Sequence, residues 1–223
     1  MTIDWPLFWD SVGPLAAAAI AGTIPLALVS FALGMVLAVA AALARLSRNR
    51  LIAGVARLYI SVIRGTPLLV HLFVVFYGLP SLGLTIDPWP SAIIALSLNV
   101  GGYAAEVVRA AILSVDKGQW EAAYMVGMPR RTALRRVILP QAARVATPPL
   151  SNTFISLVKD TSLTSLILVS EMFRKSQEIA AFTQEFMLLY VEAGLLYWVI
   201  CLALSTGQSA MERRLDRHVA VAR

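Results

Sequence analysis

A basic segment with the sequence EAAYMVGMPRRTALRRVILP occupies residues 121–140, between two long apolar stretches. Residues 117–126 are predicted to form a short helix that ends at Gly127, because glycine readily adopts the left-handed backbone that closes a helix. Pro129 is predicted to begin a second helix, and Pro140 to interrupt it. The result is a helix–turn–helix, residues 117–140, with one basic and one apolar edge. Its spacing fits equally a protein-docking surface and a helix lying on anionic lipid.

The stretches that flank this segment identify the class of protein. The 223 residues are 58% hydrophobic and 14% charged, whereas a soluble domain has about 25% charged residues. Apolar runs near the length of a membrane crossing recur, and they lack the ten-residue alternation of a barrel. We therefore expect a single domain, residues 1–223, that is an all-α integral membrane protein. Five spans are predicted, at about residues 14–44, 59–79, 91–113, 150–169 and 186–206.

The distribution of positive charge predicts the orientation of the chain. Most of the 19 basic residues fall in three places: the 45–57 link, the 114–149 segment and the C-terminal tail, which includes Arg213, Arg214, Arg217 and Arg223. The links on the other side contain only Arg174 and Lys175. Because cytoplasmic links are enriched in Lys and Arg, we expect the N-terminus outside and the C-terminus inside.

Several polar residues fall within the predicted spans. Asn99, Tyr103 and Glu106 follow one another at helical spacing on one face, and Lys159 and Asp160 lie near the middle of the fourth span. Ionisable groups at membrane depth usually face a cavity or a partner, so these five residues are candidates for a substrate pathway. The alternative is structural pairing, of Glu106 with Arg109 three residues on or of Lys159 with Asp160 or Glu106.

The order of residues in the basic segment resembles the EAA signature of permeases in the ABC importer superfamily. Glu121-Ala122-Ala123, Gly127 and Leu139-Pro140 match this signature, with Val137 where isoleucine is usual. Four further runs resemble the polar-amino-acid branch of these permeases: Arg64-Gly65-Thr66-Pro67-Leu68, residues 99–106, residues 117–121 and residues 159–163. Residues 76–100 further resemble the L-cystine permeases.

The resemblance implies a type I importer permease fold in a bacterial inner membrane, crossed several times. It implies that residues 117–140 are a coupling element seated on an ATPase subunit, with Glu121, Ala122, Ala123, Gly127, Leu139 and Pro140 as its signature residues. The expected partners are a dimer of ABC ATPase subunits, a second permease subunit that is a copy of this chain, and an extracytoplasmic amino-acid-binding protein. No nucleic-acid partner is expected.

The expected activity is transport of a polar amino acid, with L-cystine as the specific substrate, and not catalysis. The sequence contains no nucleotide-binding loop, so ATP and Mg²⁺ are expected on the ATPase partner, and no cofactor, metal or catalytic residue is expected in this chain. An ion-coupled amino-acid carrier, with Glu106, Asp160 and Lys159 as a proton or ion relay, is the alternative. An intramembrane enzyme is disfavoured because no metal-binding or Ser/His pattern lies at membrane depth.

Overall fold

The structure, a computed structural model, describes residues 4–216, with side chains to Arg213. Within this range the chain forms helices joined by short links. The described side chains do not include three of the basic residues used to predict the orientation, Arg214, Arg217 and Arg223. The helices are α1 (Trp5–Arg45), α2 (Arg50–Gly65), α3 (Leu68–Leu82), α4 (Pro88–Ser114), α5 (Lys117–Met125), α6 (Arg130–Ile167), α7 (Met172–Thr183) and α8 (Phe186–Asp216).

Three of these helices, α1, α4 and α8, are each long and apolar enough to cross a membrane. Two further pairs pass the same test together although each is bent: α2 with α3 by 106°, and α6 with α7 by 48°. The number of crossings is therefore three, or five when each bent pair is one crossing. The prediction of an all-α membrane protein is confirmed, and the predicted five spans correspond to the higher count.

The first predicted span is wrong at its start, since α1 begins at Trp5 rather than near Pro14. The Asp4 carboxylate accepts a hydrogen bond from the Leu7 amide at 3.0 Å, and Pro6 occupies the first turn. A capping acid followed by proline is a strong helix start. The helix therefore extends beyond the apolar stretch that hydropathy detects.

The second predicted span is broken in the middle. Pro67 forces Thr66 out of the helical region, and Thr66 is extended, at φ −128° and ψ 148°. The Thr66 hydroxyl donates to the Val62 carbonyl at 2.7 Å, in the helix that precedes the break. The helix resumes at Leu68. The break places a polar backbone corner between α2 and α3.

Three prolines inside long helices are each preceded by a widened, π-helical turn. These turns are Ala19–Thr23 before Pro25, Val74–Gly78 before Pro80 and Leu134–Ile138 before Pro140. A proline lacks an N–H and clashes with the carbonyl four residues earlier in an α-helix, and a π turn is a common way to relieve this conflict. Pro140 therefore does not interrupt the second helix of the basic segment. That prediction is wrong, and α6 continues through it.

Because α6 runs from Arg130 to Ile167, the predicted fourth span at 150–169 is only its later part. Pro148 and Pro149 lie inside it without ending it. Nearby hydroxyls bond to helix carbonyl groups, Thr147 to Ala143 at 2.7 Å and Ser151 to Thr147 at 2.9 Å. Such side-chain bonds help to accommodate prolines within a helix at membrane depth.

The core forms where α1, α4 and α6 pack together. Small residues dominate the contact, including Ala38 of α1 and Ala104 and Ala105 of α4, all fully buried. Gly34 of α1 lies directly against Val100 of α4, so closely that a Cβ on Gly34 would be 2.6 Å from the Val100 Cβ. Small residues let helix backbones approach closely where apolar burial cannot drive association.

A buried carboxylate joins α1, α7 and α8. Glu171 is fully buried and precedes α7, where its side chain accepts from the amides of Phe173 at 2.8 Å and Arg174 at 2.7 Å. The Tyr197 hydroxyl of α8 donates to the same carboxylate at 2.8 Å, and Thr23 of the first π turn lies 3.4 Å away. Glu171 thus caps α7 and ties it to two other helices.

Candidate functional site

The basic segment forms the predicted helix–turn–helix. Asp116 caps α5 by accepting from the Gly118 amide at 2.6 Å. At the other end Gly127 is left-handed, with φ +76°, and its amide bonds to Tyr124 O at 2.9 Å while the Met128 amide bonds to Ala123 O at 3.0 Å. This pair of bonds is the Schellman closure of a helix. The prediction that α5 ends at Gly127 is confirmed.

The tip of this helix–turn–helix presents apolar side chains to the outside. Met125 is 88% and Val126 is 71% exposed, and Glu121 is also exposed on the same short helix. Of the signature residues, Ala122, Gly127 and Pro140 are exposed, Leu139 is partly buried and Ala123 is buried. Adjacent exposed apolar side chains are typical of interaction surfaces.

α5 is held in place by the helix that follows it. The Gln141 amide of α6 donates to Gln119 Oε1 of α5 at 3.0 Å. Arg48, from the link between α1 and α2, lines a groove of about 560 Å³ together with Trp120 and Arg130. The helix–turn–helix therefore lies beside the first basic link, so these two basic segments occupy one end of the molecule.

A polar cavity of about 420 Å³ opens at the break between α2 and α3. Asn99 and Tyr103 of α4 line one wall, as the sequence predicted from their spacing. Asn152, Ser156 and Asp160 line the other at intervals of four residues along α6. Asn152 and Ser156 are not among the predicted pathway residues, although they stand at helical spacing from Asp160 in the sequence. The remaining lining residues are Thr66, Pro67, Leu68, Val100, Pro149, Thr153 and Leu157.

Lys159 does not join this cavity. Its side chain is exposed, whereas the adjacent Asp160 is partly buried and lines the cavity. Successive residues of a helix point about 100° apart, so both could not face the same space. Within residues 4–213 no ion pair joins Lys159 to Asp160 or to Glu106. The ion pairs of Lys159 with Asp160 or Glu106, offered above as an alternative, are therefore not formed.

Glu106 lies outside the polar cavity as well. Its carboxylate accepts two bonds from Arg109, at 3.0 and 2.8 Å, and lies 3.3 Å from Arg45 at the end of α1. The pairing with Arg109 that the sequence offered as an alternative is thus formed, and Arg45 is an additional partner. Glu106 shares the helix face of Asn99 and Tyr103 but lies one turn further along α4, where a second cavity begins.

Two acidic residues missed by the sequence analysis, Glu171 and Glu192, are buried near the start of α7 and on α8. Ser11 donates to Glu192 at 2.6 Å. Both carboxylates bond to neighbouring helices and line neither cavity described above. Within residues 4–213, whose side chains the structure describes, no group of three or more His, Cys, Asp or Glu residues could hold a metal ion.

Comparison with known proteins places these features in a family. Residues 32–217 match the model of the binding-protein-dependent transport system inner membrane component. The chain is 57% identical over 219 residues to the L-cystine transport system permease protein TcyB of Bacillus subtilis (strain 168), covering 98% of this chain and 94% of that one. It is 37% identical over 206 residues to the probable amino-acid ABC transporter permease protein YckA of the same organism, covering 92% and 91%.

A solved structure shares the fold. It is a crystal structure of an amino acid ABC transporter with histidines, in which the matching chain is 34% identical. The TM-score is 0.89, and the match covers 96% of this chain and 100% of that one. The predicted permease fold is therefore confirmed.

Proposed function

This chain belongs to the family of binding-protein-dependent transport system inner membrane components, and on that premise we propose that it is the permease subunit of an ATP-driven importer for a polar amino acid, L-cystine. The observation that carries the choice of substrate is the 57% identity to an L-cystine permease along 98% of the chain. The chain itself provides the pathway and hydrolyses nothing.

The polar cavity is the proposed pathway. Its 420 Å³ suits an amino acid. Asp160 would bind the ammonium group of the substrate, and the Tyr103 hydroxyl and the Asn99 and Asn152 amides would bind its carboxylate. Asp160 is the one ionisable acid in the lining, so it is the residue whose loss should affect transport most.

The helix–turn–helix of residues 117–140 is the proposed coupling element. Its exposed Glu121, Met125 and Val126 would contact an ABC ATPase subunit, which binds ATP and Mg²⁺. Closure of the ATPase dimer would draw two such elements together and rock the helices as rigid bodies. The exposed apolar tip favours this role over a helix lying on lipid, since it is built at a turn rather than along one helix face.

The proposed assembly is symmetric. Two copies of this chain would surround the pathway, each on one ATPase subunit, with the N-terminus outside and the C-terminus inside. An extracytoplasmic binding protein would deliver substrate near residues 80–90 and 171–185, on the side opposite the basic links.

The test is uptake of labelled L-cystine by vesicles that contain this chain with its ATPase subunit, with the binding protein outside and ATP inside. We expect ATP-dependent uptake, and we expect Asp160→Asn to reduce it at least tenfold. Asp10→Asn is the matched control, because Asp10 is an exposed acid on α1 outside both cavities. Uptake driven by an ion gradient without ATP would instead favour the ion-coupled carrier. Full uptake by Asp160→Asn would overturn the assignment of Asp160.

A further inference from the structure

A second cavity, of about 640 Å³, follows the polar cavity along α4. Arg45 from the end of α1 and Arg57 and Arg64 from α2 line it, together with Tyr103 and Glu106 of α4. Arg57 and Arg64 are seven residues apart, so they lie on one face of α2. We call this space the arginine cavity.

The arginine cavity has an excess of positive charge. Glu106 is its one carboxylate, and it is already bound by Arg109 and Arg45. Arg57 donates only to the Ala53 carbonyl of its own helix, and Arg64 lies over the Tyr103 ring at 5.6 Å. Neither has an acidic partner within 4 Å in the described part of the chain. Three guanidinium groups thus line the cavity with one carboxylate, and that carboxylate also pairs with Arg109, which is not in the lining.

One donor in this cluster is left without a partner. The Nε of Arg45 is buried and makes no hydrogen bond, although another nitrogen of the same guanidinium approaches Glu106. An unpaired buried donor of a charged group is costly. Arg57 and Arg64 are exposed, and unpaired positive charge on a cavity wall raises the local concentration of anions.

The carboxylate of Glu106, which the cavity already binds, indicates the class of ligand. Glu106 presents a planar carboxylate, and Arg109 binds one of its oxygens through two nitrogens. The two bonds converge on Oε2 of Glu106, and a guanidinium group can also bind both oxygens of a free carboxylate through two parallel N–H bonds. The arrangement therefore already holds one carboxylate and leaves Arg57 and Arg64 available for a second.

Tyr103 connects the two cavities. It lines both of them, while Thr66 and Pro67 line the polar cavity and the preceding Arg64 and Gly65 line the arginine cavity. No cation lines the polar cavity. A substrate that moves along α4 past Tyr103 would leave a cavity lined by one acid and enter one lined by three arginines.

We propose that the arginine cavity is a separate carboxylate-binding site, and that it receives the α-carboxylate of the amino acid after the polar cavity, on the side of the basic links. The binding of a carboxylate stands on the geometry alone. Its place after the polar cavity rests on the proposed function.

Binding is tested on the full chain in neutral detergent, with succinate as the probe and chloride as the comparison at equal ionic strength. We expect succinate to raise the midpoint of thermal unfolding in a saturable manner. The double variant Arg57→Gln/Arg64→Gln should weaken the apparent affinity at least tenfold. Arg174→Gln/Lys175→Gln removes the same charge from α7, where both residues pair with Glu178, and should bind succinate as the natural chain does.

A variant that keeps the charge separates binding from folding. Arg64→Lys should retain part of the affinity, because lysine supplies a cation but not the guanidinium fork. Two results would overturn the proposed site. One is an equal shift of the unfolding midpoint by succinate and by chloride. The other is an equal affinity for succinate in the natural chain and in Arg57→Gln/Arg64→Gln.

The place in the pathway is tested in the transport vesicles. Succinate enclosed with ATP should slow uptake by the natural chain and not by the Arg57→Gln/Arg64→Gln chain. Unslowed uptake by a natural chain that binds succinate would overturn the position after the polar cavity. Loss of ATP-dependent uptake in the natural chain without succinate would count against the proposed function and leave the carboxylate site standing.

Discussion

Replacing Glu171 with alanine should destabilise the fold strongly, although Glu171 lies in neither cavity. The substitution removes the cap of α7, because two backbone amides that donate to the carboxylate at 2.7 and 2.8 Å lose their acceptor. Loss of such a cap costs about 0.5–2 kcal/mol. It also leaves the hydroxyl of the largely buried Tyr197 without its acceptor, which costs about 1–3 kcal/mol. We therefore expect a loss of about 1.5–5 kcal/mol, or roughly 3–20 °C in the midpoint for a chain of this size.

The assay is thermal unfolding of the purified chain in detergent, followed by far-ultraviolet circular dichroism. Glu178→Ala is the matched control, since Glu178 is an acid on the same helix whose partners, Arg174 and Lys175, form exposed pairs at 3.6 and 3.4 Å. Such pairs contribute about 0–1 kcal/mol, so its midpoint should fall by less than about 4 °C. Glu171→Gln keeps an acceptor oxygen and should lie between the two. A midpoint for Glu171→Ala equal to that of Glu178→Ala would refute the role of Glu171 as a joint between three helices.

Two glycine substitutions test the coupling element and the core. Gly127→Val places a β-branched residue at φ +76°, where such residues are strained, so ATP-dependent uptake should be lost while the chain still folds. Gly54→Val is the control, at a glycine with open space around it, and it should transport normally. Normal uptake by both variants would contradict the coupling role. Gly34→Ala should lower the midpoint of thermal unfolding, because the added Cβ would meet Val100 at 2.6 Å. Gly13→Ala, in open space on the same helix, should leave the midpoint unchanged. Equal midpoints would show that α1 and α4 can move apart at little cost.

The class of protein and the helix–turn–helix could be predicted because each depends on local information. Runs of apolar residues are typical of membrane helices, and a left-handed glycine between two short helical patterns predicts the turn at Gly127. The start of α1 at Trp5 also has a local signal, Asp4 followed by Pro6, but hydropathy does not detect it. A helix ends where its hydrogen bonds end, and this need not be where the apolar stretch ends.

The residues that line the polar cavity could be predicted only in part. Helical spacing placed Asn99, Tyr103 and Glu106 on one face, and the structure agrees. Spacing does not say where along that face a cavity ends, and this depends on the break at Pro67 and on α6. Lys159 is different, because the turn of a helix already separates it from Asp160. Proximity in sequence was mistaken there for proximity in space.

The continuity of α6 connects the proposed coupling element with the proposed pathway. The same helix begins at Arg130, inside the helix–turn–helix, and carries Asn152, Ser156 and Asp160 into the polar cavity. About 20 residues separate Pro140 from Asp160, which is about 30 Å of helix at 1.5 Å per residue. A helix that ended at Pro140, as the sequence suggested, would need a loop between these two regions. Because the π turn at Leu134–Ile138 lets α6 pass through Pro140, a displacement of the coupling element would reach the cavity wall through helix alone.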